Sequence, residues 1–358
     1  MAESIKNVLV VGTGKVGKLV AIFLNQCGFH VTGLDSHAAK SKYFDSIKGD
    51  VTNKKTLLSA LKGQDAIVTC LPYHLNLKIA EAAFATETHY FDLTEDVPTT
   101  NAIRKMAKDA NVVMAPQCGL APGFIGIIGA SITKGFSDIR SIELRVGALP
   151  QHPKGVLGYA FNWSPEGVVN EYLNDCEVIQ NGLVKMVPAM QDLETIVIQG
   201  TPLEAFTTSG GLGTMCETFS NRVKELNYKT LRYPGHCRLM RFFFHELLMK
   251  EDRDTAGQIL VNAKPPVNDD VVFVHAAVEG IKRRKLWREE FVHGYYPIDV
   301  AGTSWRAISW TTAASVCAVV EMVSQGTLPQ KGFIKQEEIP FDAFLQTTTG
   351  SLYKKHEH

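Results

Sequence analysis

The chain has 358 residues, enough for two domains that each bury a core, and its 37 Lys and Arg balance 37 Asp and Glu, which excludes the basic field that nucleic-acid binding needs. Its seven cysteines are odd in number and scattered without a CxxC pair, which excludes a disulfide framework and a structural zinc site and points to a reduced, intracellular protein. No apolar run approaches the ~20 residues that span a bilayer, and the apolar stretch near the N-terminus reads as a short strand, so a soluble, cytoplasmic chain with no membrane partner is expected.

From residue 7 to about residue 114, short β-rich runs alternate with amphipathic helical stretches. The order is VLVV, KVGKLVAIFLNQC, HVTGL, a short helix, DAIVTCL, LKIAEAAFA, HYFDL, NAIRKMAKDA and NVVMA, with a third strand before KGDVTN. Such alternation is the pattern of an α/β Rossmann fold, a doubly wound parallel sheet. After GLAPGFIGIIGASI the strands lengthen to SIELRVGAL, ETIVIQG, VVFVHAAVEG and LWREEFVHGYY, which predicts an inserted α/β substrate domain built on a mixed sheet over roughly 137–302. WRAISWTTAASVCAVVEMVSQG then predicts a long helix ending at a glycine, and the tail with KGFIKQEEIPFDAFL is expected to pack back onto the first domain. The expected domains are 1–125, 126–303 and the returning segment 304–358.

Gly12, Gly14 and Gly17 form a GxGxxG directly after the first strand, in the loop Gly12, Thr13, Gly14, Lys15, Val16, Gly17. The first glycine allows a tight turn, the second lets backbone approach a pyrophosphate, and the third permits close helix packing while the helix N-terminus faces the anion. The second strand ends in Asp35, about twenty residues on, where a carboxylate can accept hydrogen bonds from ribose hydroxyls and repel a 2′-phosphate. The combination predicts NAD as cofactor, with NADP possible given Lys15 and Lys40. Asp50 is a candidate adenine-edge contact or, alternatively, a helix N-cap. CLPYH (70–74) and FDLTED (91–96) follow the fourth and fifth strands, where this fold places ligands, so Leu71, Pro72 and Tyr73 are expected beside the cofactor, and His74 and Asp92 near the substrate.

With VVGTGKVG, the FDL after the fifth strand, GLAPGF (119–124), FNWSPEGVVNEY (161–172), PLEAFTTSGGLGTM (202–215) and YKTLRYPGH (228–236), the chain resembles the saccharopine dehydrogenase superfamily over nearly its whole length, and within it most closely the lysine 6-dehydrogenases. The resemblance implies a Rossmann domain completed by a C-terminal helical return, an inserted substrate domain, and oxidation or formation of a carbon–nitrogen bond on lysine-like compounds. Ala121 stands where the saccharopine-forming reductases carry Asp, which favours the lysine 6-dehydrogenase form; Trp310 stands where the superfamily pattern has Arg.

The implied reaction passes a hydride from the ε-carbon of lysine to nicotinamide, giving an imine that water converts to a semialdehyde, which cyclises. An amine with pKa about 10.4 must first lose a proton, at a cost of about 4 to 5 kcal/mol at pH 7 without assistance. Asp92, Glu166, His74 and His236 are the candidate bases, Glu166 and Asp92 foremost. Arg232 is the candidate fork for the α-carboxylate, and Thr208, Ser209, Gly210 and Gly211 form a loop suited to orienting polar substrate groups. Cys118 has no activating partner in the pattern, and His245 lacks the second His of HExxH, so no metal is expected.

Two other readings compete. One is a saccharopine or opine-type dehydrogenase acting on a secondary amine, which needs a second carboxylate-binding cation that Arg140, Arg145, Arg222 or Lys229 would supply. The other is a dinucleotide-sensing protein without catalysis. A small amino-acid partner and pairing into a homodimer through the sheet-rich insert are expected.

Overall fold

The computed structural model describes residues 5–37 and 40–356, which fall into two compact units: unit 1, up to Phe124 and again from Ser309, and unit 2, Ile125–Ile308. Residues 1–4 and 357–358, the outer ends of the expected first and last segments, lie outside the described residues.

Unit 1 begins β1 (Asn7–Val11), α1 (Gly17–Gln26), β2 (His30–Asp35), β3 (Asp45–Lys48), α2 (Lys54–Leu61), β4 (Ala66–Thr69), α3 (Tyr73–Ala85), β5 (His89–Asp92), α4 (Val97–Ala107) and β6 (Val113–Ala115). The strand runs are apolar on both faces; all four residues of β4 are buried, as parallel strands covered by helices on both sides must be. The helices start where short polar side chains can cap them. Asn53 accepts the Lys55 and Thr56 N–H groups before α2, and Asp96 accepts the Thr99 N–H before α4. The short helix expected between HVTGL and DAIVTCL is α2.

Unit 2 continues with α5 (Phe124–Ile132), β7 (Asp138–Pro150), α6 (Pro165–Leu173), β8 (Cys176–Gln180), β9 (Leu183–Val187), β10 (Glu194–Ile198), β11 (Thr201–Thr207), α7 (Met215–Phe219), β12 (Val223–Arg232), α8 (His236–Arg241), α9 (Arg253–Ala263), β13 (Asp270–Lys282), β14 (Lys285–Tyr295), β15 (Ile298–Val300) and β16 (Thr303–Trp305). Its main sheet runs β10-β11-β12-β7-β13-β14, with β8 against β12 and β9 against β8; β12 and β7 are parallel and the remaining pairs antiparallel. One core binds α6, α8 and α9 to this sheet, through Val168, Val169, Tyr172, Met240 and Leu260 against Leu203, Phe206, Leu231 and Phe273.

The chain then enters α10 (Ala307–Ser324), β17 (Gly332–Phe333), α11 (Phe341–Phe344) and α12 (Ser351–Lys355). β17 pairs with β6, so the sheet of unit 1 is seven parallel strands in the order β17-β6-β5-β4-β1-β2-β3. The chain is therefore a Rossmann doubly wound parallel sheet with an inserted mixed-sheet α/β domain. The strand order reverses at β1 and β4, the crevice where such sheets bind ligands. α10 is long and apolar enough to cross a membrane, but 83% of it is buried inside the protein, as in a core helix. Trp310 on it is fully buried against Tyr353, which makes it a packing residue.

Candidate functional site

At the carboxyl end of β1 the glycine loop is held by backbone geometry. Gly12 has φ +82°, and a Cβ there would lie 2.7 Å from the Leu71 side chain; a Cβ on Gly17 would lie 1.8 Å from the Gly12 carbonyl oxygen, so α1 is pressed onto the turn. Gly14 has nothing within 4 Å of its Cβ position. No side chain caps α1 and no acid sits in its first turn, so its positive end is left for an anion. A closed turn, an open second glycine and an uncapped helix fit the pyrophosphate of a dinucleotide.

Asp35, at the end of β2, accepts the Thr13 N–H at 2.7 Å and the His37 N–H at 2.9 Å. Partial burial alone would raise its pKa, yet these amide bonds hold it below the ordinary carboxylate value, so it is charged at neutral pH. Lys15 is exposed and Val16 half-buried at the start of α1. Leu71 packs over Gly12, Pro72 precedes α3 and Tyr73 begins it, so the structure brings 71–73 beside the loop. Asp50 does not cap a helix: Asn53 does. Asp50 instead accepts the Thr52 hydroxyl and N–H in a local turn, which lowers its pKa.

Of the candidate bases, Asp92 is fully buried, accepting the Tyr90 hydroxyl at 2.7 Å and the Thr94 and Gln117 N–H groups at 2.9 Å each. Committed to three donors and buried, it ties β5 to the loop after β6. His74 is exposed on the first turn of α3 with its ring edge-on to Tyr73. Glu166 is exposed in the first turn of α6, where its negative charge complements the positive end of the helix dipole; Ser164 caps that helix through the Gly167 N–H.

Burial pushes the pKa of Asp92 up to about 6, and that of Asp270 likewise. The folded state therefore holds these protons more tightly than the unfolded chain, and their stabilising contribution is full below pH about 3.8 and lost as pH rises through about 6. For Asp92 the difference amounts to about 3 kcal/mol. We expect Asp92→Asn to remove that slope: the stability of wild type minus variant, from denaturant titrations at several pH values, should fall between pH 4 and 6.5, and a flat difference would contradict the assignment.

The polar centre of unit 2 is a buried relay. Arg232, the last residue of β12, is 2% exposed; its Nε donates to the Tyr172 hydroxyl at 2.7 Å and its Nη1 to the Leu231 carbonyl at 2.8 Å. The guanidinium lies over the Tyr159 ring at 4.6 Å. Tyr172 in turn meets His236 Nε2 at 3.0 Å, and His236 Nδ1 lies 3.0 Å from the Leu157 carbonyl. A carbonyl only accepts, so Nδ1 carries the proton and Nε2 accepts from Tyr172. Burial first, and the Arg232 charge second, push the His236 pKa down to about 3. His236 is thus a neutral strut and neither a base nor a cap; Gly235 precedes α8, and Glu204 accepts the Gly235 and Cys237 N–H groups. Burial lowers the pKa of Arg232, but Tyr159, Tyr172 and Glu171 raise it overall, so it stays charged.

The Ser209 hydroxyl donates to the Asp175 carbonyl at 2.9 Å, and a Cβ on Gly211 would enter the Tyr228 ring at 2.3 Å. Thr208 Oγ1 is buried without a partner. Cys118 is buried with its pKa pushed well up, and the seven cysteines are all free. No cluster of His, Cys, Asp and Glu able to hold a metal occurs among the described residues. Sequence reasoning missed Tyr159, Glu171, Tyr172 and Glu204; the signal was the polar residues set inside otherwise buried apolar runs at 159–172 and 203–206.

Two family models match the chain: the saccharopine dehydrogenase NADP binding domain over residues 8–115 and the saccharopine dehydrogenase C-terminal domain over residues 119–354. The chain is 24% identical over 288 residues to the mitochondrial alpha-aminoadipic semialdehyde synthase of Rattus norvegicus, covering 73% of this chain and 30% of that protein. It is 24% identical over 203 residues to the NADP(+), L-glutamate-forming saccharopine dehydrogenase of Pyricularia oryzae, covering 53% of this chain and 45% of that one. The chain thus spans less than half the length of either relative. Among solved structures, apo saccharopine dehydrogenase (L-Glu forming) from Saccharomyces cerevisiae shares the fold with a TM-score of 0.76 at 16% identity, over 98% of both chains.

Proposed function

We propose a reaction for this chain from one premise: it belongs to the saccharopine dehydrogenase family, both of whose domain models it matches. The chain oxidises a carbon–nitrogen bond of an amino-acid substrate, with NAD as hydride acceptor. The observation that carries this reading is Arg232, a buried, permanently charged guanidinium oriented through Nε by the Tyr172 hydroxyl and through Nη1 by the Leu231 carbonyl. Such a donor recognises a carboxylate.

The nicotinamide dinucleotide, when bound, accepts the hydride. The glycine loop holds its pyrophosphate, and the charged Asp35 takes the ribose hydroxyls and repels a 2′-phosphate. In unit 2, Arg232 holds the substrate carboxylate. Removing a proton from the substrate nitrogen falls to Glu171, which is buried on α6 and close enough to Arg232, Tyr172 and Tyr228 to raise the pKa of each; it replaces Glu166, which the same helix turns to solvent. The ε-amine of L-lysine, with one carboxylate, is the first substrate to test. A secondary amine of the saccharopine type is the second reading.

Purified protein with NAD, or with NADP, is to be offered L-lysine, saccharopine and ornithine while reduced cofactor is followed by absorbance. We expect reduction with NAD preferred, and Asp35→Ala should shift the NADP-to-NAD ratio of kcat/KM at least tenfold toward NADP. Tight NAD binding with no turnover on any amine would favour a sensor.

A further inference from the structure

An edge strand exposes a row of unpaired backbone N–H and C=O groups, and proteins ordinarily keep such strands short, bulged or marked with proline so that no second chain adds on. The main sheet of unit 2 ends in β10 on one side and β14 on the other. β10 has five residues, whereas β14 has eleven, contains no proline, and keeps an unbroken register with β13 from Lys285 opposite Lys282 to Tyr295 opposite Val272. The register shift in β13, at Glu279 and Gly280, lies on its β7 side. Among the described residues β14 pairs with β13 alone.

The accessible stretch of β14 is the nine residues Lys285–His293, since Gly294 and Tyr295 are buried, and it carries Leu286 and Trp287 at 62% and 53% exposure. Successive side chains alternate between faces, so Leu286, Arg288, Glu290 and Val292 share one and Trp287, Glu289, Phe291 and His293 the other. In an antiparallel pair related by a two-fold axis, opposite residues lie on one face, so the axis must pass beside a residue. The centre of the accessible stretch is Glu289. With the axis there, Arg288 meets Glu290 of the copy, Trp287 meets Phe291, Leu286 meets Val292 and Lys285 meets His293, each contact occurring twice. An axis at Arg288 would instead set Trp287 against Glu289 and Leu286 against Glu290; one at Glu290 would set Phe291 against Glu289 and Val292 against Arg288. The two Glu289 carboxylates face each other at the axis, but each is paired with Lys282 of its own chain. Arg288 already donates to Glu143 at 2.9 Å and Glu290 at 2.5 Å, so Glu290 of a copy extends an existing charge network.

We propose that β14 adds antiparallel to β14 of a second copy of this chain, about a two-fold axis at Glu289, joining the two main sheets into one. The edge is complementary to itself in charge and apolar pattern in that register and not in its neighbours, and the pairing is independent of the reaction proposed above. Sedimentation velocity of the whole protein should show a dimer. Glu290→Lys, which sets a second cation opposite Arg288, should weaken it tenfold or more with the circular-dichroism spectrum unchanged. Cross-linking reads the register. Glu289→Cys brings two thiols face to face with Cα atoms about 5 Å apart, so diamide, which takes up the two thiol hydrogens, should give a disulfide-linked dimer. Lys285→Cys sets its thiols eight residues out of step, about 27 Å apart, and should stay unlinked. Wild type, whose seven cysteines are buried or half-buried, is the blank. A monomeric wild type, a dimer that Glu289→Cys leaves unlinked, or equal linking through Lys285→Cys would overturn the pairing.

Discussion

Arg232→Met is expected to raise the KM for the amino-acid substrate about 100-fold while kcat changes far less. A charge-assisted hydrogen bond contributes about 1.5–3 kcal/mol, and a carboxylate held equally in ground and transition states appears in KM. Arg232→Lys should not restore affinity, because an ammonium cannot keep the bonds to Tyr172 and Leu231 and still present a donor along the Nη2 direction. The relay behind it predicts a smaller effect of the same kind: Tyr172→Phe removes the acceptor that sets the guanidinium and should raise KM several-fold with the fold intact. Steady-state kinetics with a circular-dichroism control decides; a loss confined to kcat would place Arg232 outside carboxylate binding.

The second large effect separates the glycines of the loop. Gly17→Ala places a methyl 1.8 Å from the Gly12 carbonyl, where both partners are backbone and neither can move aside, so α1 must shift off the turn. We expect lower stability, by about 2 kcal/mol or more, together with loss of NAD binding. Gly14→Ala meets nothing within 4 Å and should leave thermal stability unchanged, yet weaken NAD at least tenfold because the methyl occupies the space the pyrophosphate needs. Thermal melts and NAD titration of the two variants give both values. If Gly14→Ala binds NAD like wild type, the loop is not the pyrophosphate cradle.

Unit 1 was legible because its signals are local. Strand and helix periodicities, GxGxxG and the spacing to Asp35 are set by residues near in sequence, and β1 to β6 appear where the apolar runs stand. In unit 2 the long strands β7, β13 and β14 were evident, but β8, β9 and β11 were not, because their short runs are interrupted by polar residues whose partners lie on other strands.

The sequence by itself determined the fold class, the dinucleotide loop and the family, since each depends on residue types at short spacings. Only the tertiary structure decided what the charged residues do. Asp92 and Glu166 are equally acidic in the sequence, yet one is sealed beneath Tyr90, Thr94 and Gln117 and the other faces water. Arg145 and Arg232, both on strands, differ because the Glu194 carboxylate accepts from the first as an ion-pair partner while the second donates to a hydroxyl and a carbonyl. What a charge does in the folded chain depends on neighbours far away in sequence, as with Tyr172, 60 residues from the Arg232 it orients.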